Sequence, residues 1–238
     1  MKDIRVVILA GGKGTRLQPY TKVLPKPLIP IGDMPILEVV LRQLKSYGFE
    51  KITLAVNHLA NLICAFFGDG SDFGLQIDYC METMPLGTAG SISLIENLTD
   101  TFLVMNGDLL TTIDYTSLIR FHIDSGSCAT ISIFPRTVKI DFGVLYINQK
   151  GELLNYKEKP VLEYLVSMGI NVFDKSVLDF IPRNQYLDIP ALMMQLKNAG
   201  KEIQTYKSNC KWLDIGRADD YETAVNLFKK SQDEYLRT

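Results

Sequence analysis

The stretch Leu9–Gly32, LAGGKGTRLQPYTKVLPKPLIPIG, decides how this chain is read. It begins where the apolar run Ile4 to Leu9 stops, and it places Gly11, Gly12 and Gly14 close together. Thr15, Arg16, Lys22 and Lys26 follow, spaced among Pro19, Pro25, Pro27 and Pro30. Glycine lets backbone N–H groups approach an anion, and cations neutralise it. Proline holds a loop in few conformations, which lowers the entropy lost on closing over a ligand. The stretch reads as a strand followed by a loop that wraps a polyphosphate.

Spacing excludes two familiar phosphate loops. A Walker loop needs a glycine, four residues, then Gly-Lys-Ser/Thr, and no such run is present. A dinucleotide fingerprint needs a third glycine where Leu17 stands, which also removes the dehydrogenase reading. An ordinary strand-to-helix turn would satisfy the glycines alone, but not Arg16 and Lys26 beside them.

Composition sets the outer bounds. The chain has 238 residues, 47% hydrophobic and 22% charged, enough for a substantial core in one large domain. Its net charge of −2 gives no global field to recruit nucleic acid or anionic lipid, so any anion site is local. Cys64, Cys80, Cys128 and Cys210 show no paired spacing and read as buried thiols of a reducing compartment. His58 and His122 share no ligand spacing with them and read as structural. No apolar run has the length of a signal segment or a membrane span, so the expected location is the cytoplasm.

Downstream of the loop the pattern alternates. A helix opens at Pro35, with Leu37, Val40, Leu41 and Leu44 on one face and Gly48 as its stop. Strand Lys51–Val56, helix Leu59–Phe67, strand Leu75–Cys80, a helix carrying Ile92 and Ile95, and strand Thr101–Met105 follow. Such alternation predicts a doubly wound, mostly parallel α/β sheet, with ligands outside the carboxyl ends of the strands. The second half is richer in strands: Cys128–Phe134, Phe142–Ile147, Leu153–Lys157 and Val166–Phe173, with a hairpin turn at Asn148–Gly151. Short helices at Ser176–Phe180 and Ile189–Asn198, a strand near Ile203 and a helix from Ala218 to Lys230 complete it. We expect one domain over residues 1–238, its second half a lobe over the first.

Asp108 follows strand Thr101–Met105 within Asn106-Gly107-Asp108, and Asp214 stands between Trp212-Leu213 and Gly216. Each alone fits a turn. With a bound polyphosphate, the two carboxylates fit magnesium, which takes one or two carboxylates plus phosphate oxygens. Glu158-Lys159-Pro160 is a charged pair whose proline biases Lys159 towards extended backbone. Asn171 is a lone amide in an apolar strand, facing either a ligand hydroxyl or a buried partner.

Five motifs in order carry a resemblance. Gly11–Pro19 with Pro25–Leu28, PLGTAG at 85–90, NGD at 106–108, EKP at 158–160 and WLDIG at 212–216 are similar to those of the sugar-phosphate nucleotidyltransferases. The likeness covers roughly residues 4 to 230 and implies a Rossmann-like nucleotidyltransferase fold with a smaller, β-rich sugar-binding lobe. About residues 1–110 would form the nucleotide half and about 111–238 the sugar and metal half, without the β-helix tail of bifunctional relatives. The implied reaction joins a nucleoside triphosphate to a sugar 1-phosphate and releases pyrophosphate, as in building precursors of surface polysaccharides. By the same resemblance, Leu9, Gly11, Gly12, Gly14 and Thr15 hold the nucleotide, with Arg16 on the departing pyrophosphate. Lys26 stands near the α-phosphate, and Asp108 and Asp214 hold Mg²⁺. Lys159 grips the sugar phosphate, while Gly143, Glu158 and Asn171 contact the sugar. Lys13 and Lys22 are read as surface charges. The resemblance leaves the sugar and any homo-oligomer open.

The family places Glu82, Gly87 and Thr88 near the base. A carboxylate only accepts, and guanine offers adjacent N1–H and N2 donors, so GTP is the favoured nucleotide. The PLGTAG loop also resembles that of guanylyltransferases acting on mannose, heptose or aminosugar 1-phosphates. UTP, dTTP and CTP are the alternatives. A non-catalytic sugar-nucleotide sensor on the same fold is a further class, which Arg16, Lys26 and both carboxylates argue against.

Overall fold

In the computed structural model, which describes residues 1–236, the apolar run becomes β1 (Arg5–Leu9), buried from Arg5 to Ile8. A two-strand ribbon, β2 (Pro30–Ile31) with β3 (Met34–Pro35), ends the loop and leads into α1 (Ile36–Ser46). The first half continues with β4 (Lys51–Val56), α2 (Ala60–Phe67), β5 (Gln76–Met81), α3 (Gly87–Gly90) and β6 (Thr101–Asn106). β1 pairs in parallel with β4 on one side and β6 on the other, and β4 pairs with β5. Parallel strands must be joined by crossovers, so the carboxyl ends of these four share one edge.

The second half adds β7 (Leu109–Thr111), α4 (Tyr115–Ser125), β8 (Ala129–Lys139), β9 (Val144–Ile147), β10 (Leu153–Lys157) and β11 (Val161–Asp174). It finishes with α5 (Ile189–Asn198), β12 (Ile203–Lys207), β13 (Trp212–Asp214), α6 (Ala218–Lys230) and α7 (Gln232–Leu236). The central sheet has the order β12-β8-β11-β6-β1-β4-β5, and β11 alone runs against its neighbours. The fold is therefore α/β with a mostly parallel sheet. The expected domain, 1–238, ends two residues beyond the described chain.

Three corrections follow from packing. β8, β11 and β12 of the second half join the same sheet, with Ala129, Met168, Ile170, Val172 and Phe173 buried in its core. Outside it, the outer parts of β8 and β11 and the β9–β10 hairpin form an arm whose apolar side chains, such as Phe142 and Leu154, are exposed. α4 was not anticipated, although Asp114 caps it by accepting from Thr116 and Ser117 N–H. The helix expected around Ile92 and Ile95 is α3 plus a 3₁₀ turn ending at Leu94, with Ile95 extended. Of the cysteines only Cys80 is buried; all four are free thiols.

Each face of the sheet carries its own core. Val6, Ile8 and Met105 pack with α1, α2 and α4, while Val7, Phe102 and Val104 pack with α5. A third cluster joins Leu17 and Ile29 of the opening loop to Ile36, Ala224, Phe228 and Tyr235. That cluster anchors the loop to helices at both ends of the chain.

Candidate active site

β1 and β6 lie side by side where the strand order reverses, and such a switch point leaves a crevice beyond the carboxyl ends. A cavity of about 570 Å³ occupies it. One wall is the loop after β1, from Leu9 to Arg16, and a second is Asn106-Gly107-Asp108 after β6. A third comes from beyond β5, through Glu82, Pro85, Gly87 and Thr88. Gly107 N–H donates to Leu9 O at 3.0 Å, which joins the first two walls. Gly14 has φ +58°, and a Cβ there would stand 2.8 Å from Thr21 Cγ2. Thr21 Oγ1 donates to Gly14 O at 2.7 Å, so the loop is folded onto itself and only glycine fits the turn.

The third wall is clamped from the far half of the chain. Thr88 N–H and Oγ1 donate to Asp188 Oδ1 at 3.1 and 3.3 Å, and Tyr186 Oη donates to Asp188 Oδ2 at 2.6 Å. Those bonds, Tyr186 first, hold the Asp188 carboxyl below the usual carboxylate range. Gly87, at φ +74°, lies so close that a Cβ would meet Leu187 O at 2.6 Å. Glu82 Oε2 accepts from Leu86 N–H at 3.2 Å, which fixes the carboxylate beside the cavity.

The charged centre lies between β7 and β13, which pair antiparallel with Leu109 opposite Asp214. Ile215 N–H donates to Asp108 O at 3.2 Å and sets the two aspartates side by side. Lys26 Nζ forms an ion pair with Asp108 Oδ2, while Asp108 Oδ1 is buried with no hydrogen-bond partner among the described residues. Burial, and then the negative charge of Asp108, push the Asp214 carboxyl above its usual range. Two crowded carboxylates, one with an orphaned oxygen, fit a divalent cation. Among the described residues no cluster of three or more His, Cys, Asp or Glu has metal-ligand geometry.

Leu9, Gly11, Gly12, Gly14, Thr15, Arg16, Lys26, Glu82, Gly87, Thr88 and Asp108 all line this one cavity. Asp214 lines a second, smaller cavity that shares Arg16 and Gly216 with the first. The four sugar-side residues line neither. Gly143 is pressed against the Tyr156 hydroxyl, and Glu158 accepts from Tyr156 Oη at 3.1 Å on the exposed arm. Lys159 is exposed and its φ of +43° is left-handed, not the extended backbone expected before proline. Asn171 is 2% exposed within β11, paired with Val104 and Ile131, so it faces the core. Lys13, read as a surface charge, lines the large cavity, as do Asn57, Asn106 and Tyr186. Asn106 stands in a motif already quoted, but nothing in the sequence marks Tyr186.

With this geometry in view, the chain matches the Nucleotidyl transferase family over residues 5–231. It belongs to that family. Among its relatives, the UTP--glucose-1-phosphate uridylyltransferase of Synechocystis is 35% identical, over 93% of this chain and 62% of that protein. The mannose-1-phosphate guanylyltransferase of Mycobacterium tuberculosis is 32% identical, over 92% of this chain and 63% of its own. The chain thus spans a little over three fifths of those curated nucleotidyltransferases, by the same 62% and 63% coverage. HddC from Yersinia pseudotuberculosis superposes with a TM-score of 0.74 at 26% identity, covering 94% of this chain and 99% of that one. That protein has also been crystallised with GMP-PN. No described helix is long and apolar enough to cross a membrane.

Proposed function

We propose that the chain is a sugar-1-phosphate nucleotidyltransferase that uses GTP, with a mannose, heptose or aminosugar 1-phosphate as acceptor. The observation that carries this reading is the convergence of the glycine loop, Lys26 and Asp108 at one switch-point crevice, with Asp214 in the adjoining cavity beside Asp108. In the reaction, an acceptor phosphate oxygen attacks the α-phosphorus of the nucleotide. The bond from that phosphorus to the bridging oxygen of the β-phosphate breaks, and pyrophosphate carries away the electron pair. The acceptor is already an anion, so no general base is needed. The difficulty is bringing two polyanions together, and positioning with charge neutralisation supplies the catalysis.

Gly11, Gly12, Gly14 and Thr15 cradle the triphosphate, and Arg16 offsets charge gathering on pyrophosphate. Lys26 serves the α-phosphate. Its charge is held by Asp108 before ligand arrives, which keeps the ammonium inside the crevice. Asp108 and Asp214 would hold Mg²⁺, which when bound neutralises charge on the phosphate oxygens. Glu82 faces the cavity, and among the described residues no hydrogen bond engages its Oε1, a match for paired donors on guanine. The guanylyltransferase relative and the GMP-PN complex of HddC support that choice. The Synechocystis relative favours a uridylyl reading instead.

A matrix of GTP, UTP, dTTP and CTP against glucose, mannose, heptose and glucosamine 1-phosphates, scored by pyrophosphate release, decides the matter. Release with GTP supports the proposal. Release with UTP or dTTP and none with GTP rejects the base assignment, and binding without release in any pair rejects the enzyme.

A further inference from the structure

In the central sheet β12 reaches no further along β8 than Ile133, and β6 no further along β11 than Ile170. Past those points β8 and β11 run on as a pair, and their chains continue into β9 and β10. Ile140 N–H donates to Pro160 O at 3.1 Å between the two pairs, so the arm is one antiparallel ribbon out to the turn at 148–151. Its tip is preformed, because Asn148 Oδ1 accepts from Lys150 N–H at 2.9 Å and from Glu152 N–H at 3.0 Å. A two-stranded ribbon is marginal in water by itself and needs a third strand or a packed face. Leu145 stands opposite Tyr156, and Ile147 opposite Leu153, so the four share one face of the β9–β10 hairpin. Each is 56–62% exposed, which leaves that face open to water in the single chain. The other face is more polar, with Asn155 opposite Tyr146 and Lys157 Nζ 5.9 Å from the Tyr146 ring centroid. Among the described residues, eleven of the twenty-one large exposed apolar side chains fall between Val138 and Leu165, so this exposure is concentrated and not scattered.

We propose that the Leu145–Ile147–Leu153–Tyr156 face is the contact between two copies of this chain, packed ribbon on ribbon about a two-fold axis. It does not depend on which triphosphate or acceptor the chain uses. Three arguments select a second copy. The first is area: the four side chains expose roughly 300–400 Å² by the usual side-chain areas. One side of a standard interface buries about 800 Å², of which about 450 Å² is apolar, so the four with Phe142 and Leu154 nearby supply what a dimer needs. The second is charge. Residues 134–166 carry five basic and four acidic side chains, a net charge of +1. That balance gives no field to hold an anionic lipid or nucleic acid, and it lets two like arms meet without repulsion. Lys139 and Asp141, 3.5 Å apart, already neutralise each other. The third is shape: a flat apolar patch on a two-stranded ribbon is self-complementary under a two-fold rotation, and the contact closes at two copies. Packing ribbon on ribbon supplies the covered face that a lone hairpin lacks.

The test is sedimentation velocity on wild type, Leu145→Glu, Leu153→Glu and Leu62→Glu over a range of concentrations. Leu62 is exposed on α2, which joins β4 to β5 at the other edge of the sheet, and serves as the control. Interfaces of standard size bind at about micromolar or tighter, so wild type should sediment at twice the 26.8 kDa chain mass at about 50 µM. A two-fold contact meets each substitution twice, so either arm variant should raise the dimer Kd at least about a hundredfold, and Leu62→Glu should leave it within about twofold. Amide hydrogen exchange on wild type gives a second readout that needs no variant. Exchange over residues 144–157 should slow as concentration rises through Kd, while exchange at the exposed end of α2 stays constant. A wild type that remains monomeric at about 50 µM overturns the proposal. If that monomer floats with phosphatidylcholine vesicles and Leu153→Glu does not, the face belongs to a lipid surface instead. A dimer that survives both arm variants, or whose exchange over 144–157 ignores concentration, places the contact elsewhere and overturns it as well. Mass that grows with concentration beyond two copies also overturns it, because a two-fold contact closes.

Discussion

Asp214 is a residue at which stability and activity oppose each other. Burial and the adjacent Asp108 raise its pKa, so the native state favours the protonated form more than the unfolded chain does. That contribution is complete below the unfolded value of 3.8 and is lost as pH rises through the raised folded value. At neutral pH the ionised carboxylate is therefore a cost that a bound cation relieves. Asp214→Asn should raise the metal-free Tm at pH 7 by about 2–4 °C for each 1 kcal/mol relieved, with the gain vanishing near pH 3. The same variant should lower pyrophosphate release by roughly 10²-fold or more. Paired thermal melts across pH and a rate assay check both; equal Tm values at pH 7 would remove the electrostatic account. Lys26→Met acts the other way, because it strands Asp108 with both oxygens unpaired. It should cost about 1–3 kcal/mol in denaturant unfolding, with Mg²⁺ recovering part of the loss.

Among elements, the clamp between α5 and the PLGTAG loop links residues a hundred positions apart. Asp188 is the N-cap residue of α5 yet makes no capping bond to that helix; its carboxylate serves Thr88 and Tyr186 instead. Asp188→Ala should therefore leave α5 intact and loosen the wall that would face the base. KM for the triphosphate should rise about tenfold, with kcat and KM for the sugar 1-phosphate within about threefold. Steady-state kinetics with each substrate varied in turn measures this, and an unchanged triphosphate KM would show the clamp to be structural only. Elements with an unbroken local signal were legible in the sequence, including α5, α6 and β10, whose limits agree with the spacing. α4 was obscured because its buried face carries the polar His122 while the apolar Ile123 is exposed, although its Asp114 cap was there to read. The cavity walls were legible where a motif ends a strand. Sequence order cannot say whether the arm that carries Gly143, Glu158 and Lys159 touches the crevice. Tyr186, which lines the large cavity, stands outside every recognisable motif.

At the scale of the whole molecule, the loop that opens the site is held by the end of the chain. Leu17 and Ile29 share a buried cluster with Phe228 of α6 and Tyr235 of α7, and the two rings lie 6.1 Å apart. Tyr235 is 1% exposed, whereas the ion pair that Glu234 of the same helix makes with Lys211 is open to water and contributes little. α7 is five residues long and marginal by itself, so packing against this cluster, and not helix propensity, keeps it in place. Tyr235→Ala should cost about 3–5 kcal/mol, the usual loss for a large buried ring. The effect should not be confined to stability, since Leu17 adjoins Arg16 and the cavity left by the ring lies under the loop. We expect a lower Tm together with a raised KM for the triphosphate, and saturating triphosphate should restore part of the Tm because it binds the folded chain and not the unfolded one. Glu234→Gln on the same helix should change neither quantity. If Tyr235→Ala lowered Tm but left the triphosphate KM untouched, the C-terminal helix would stabilise the fold without positioning the loop.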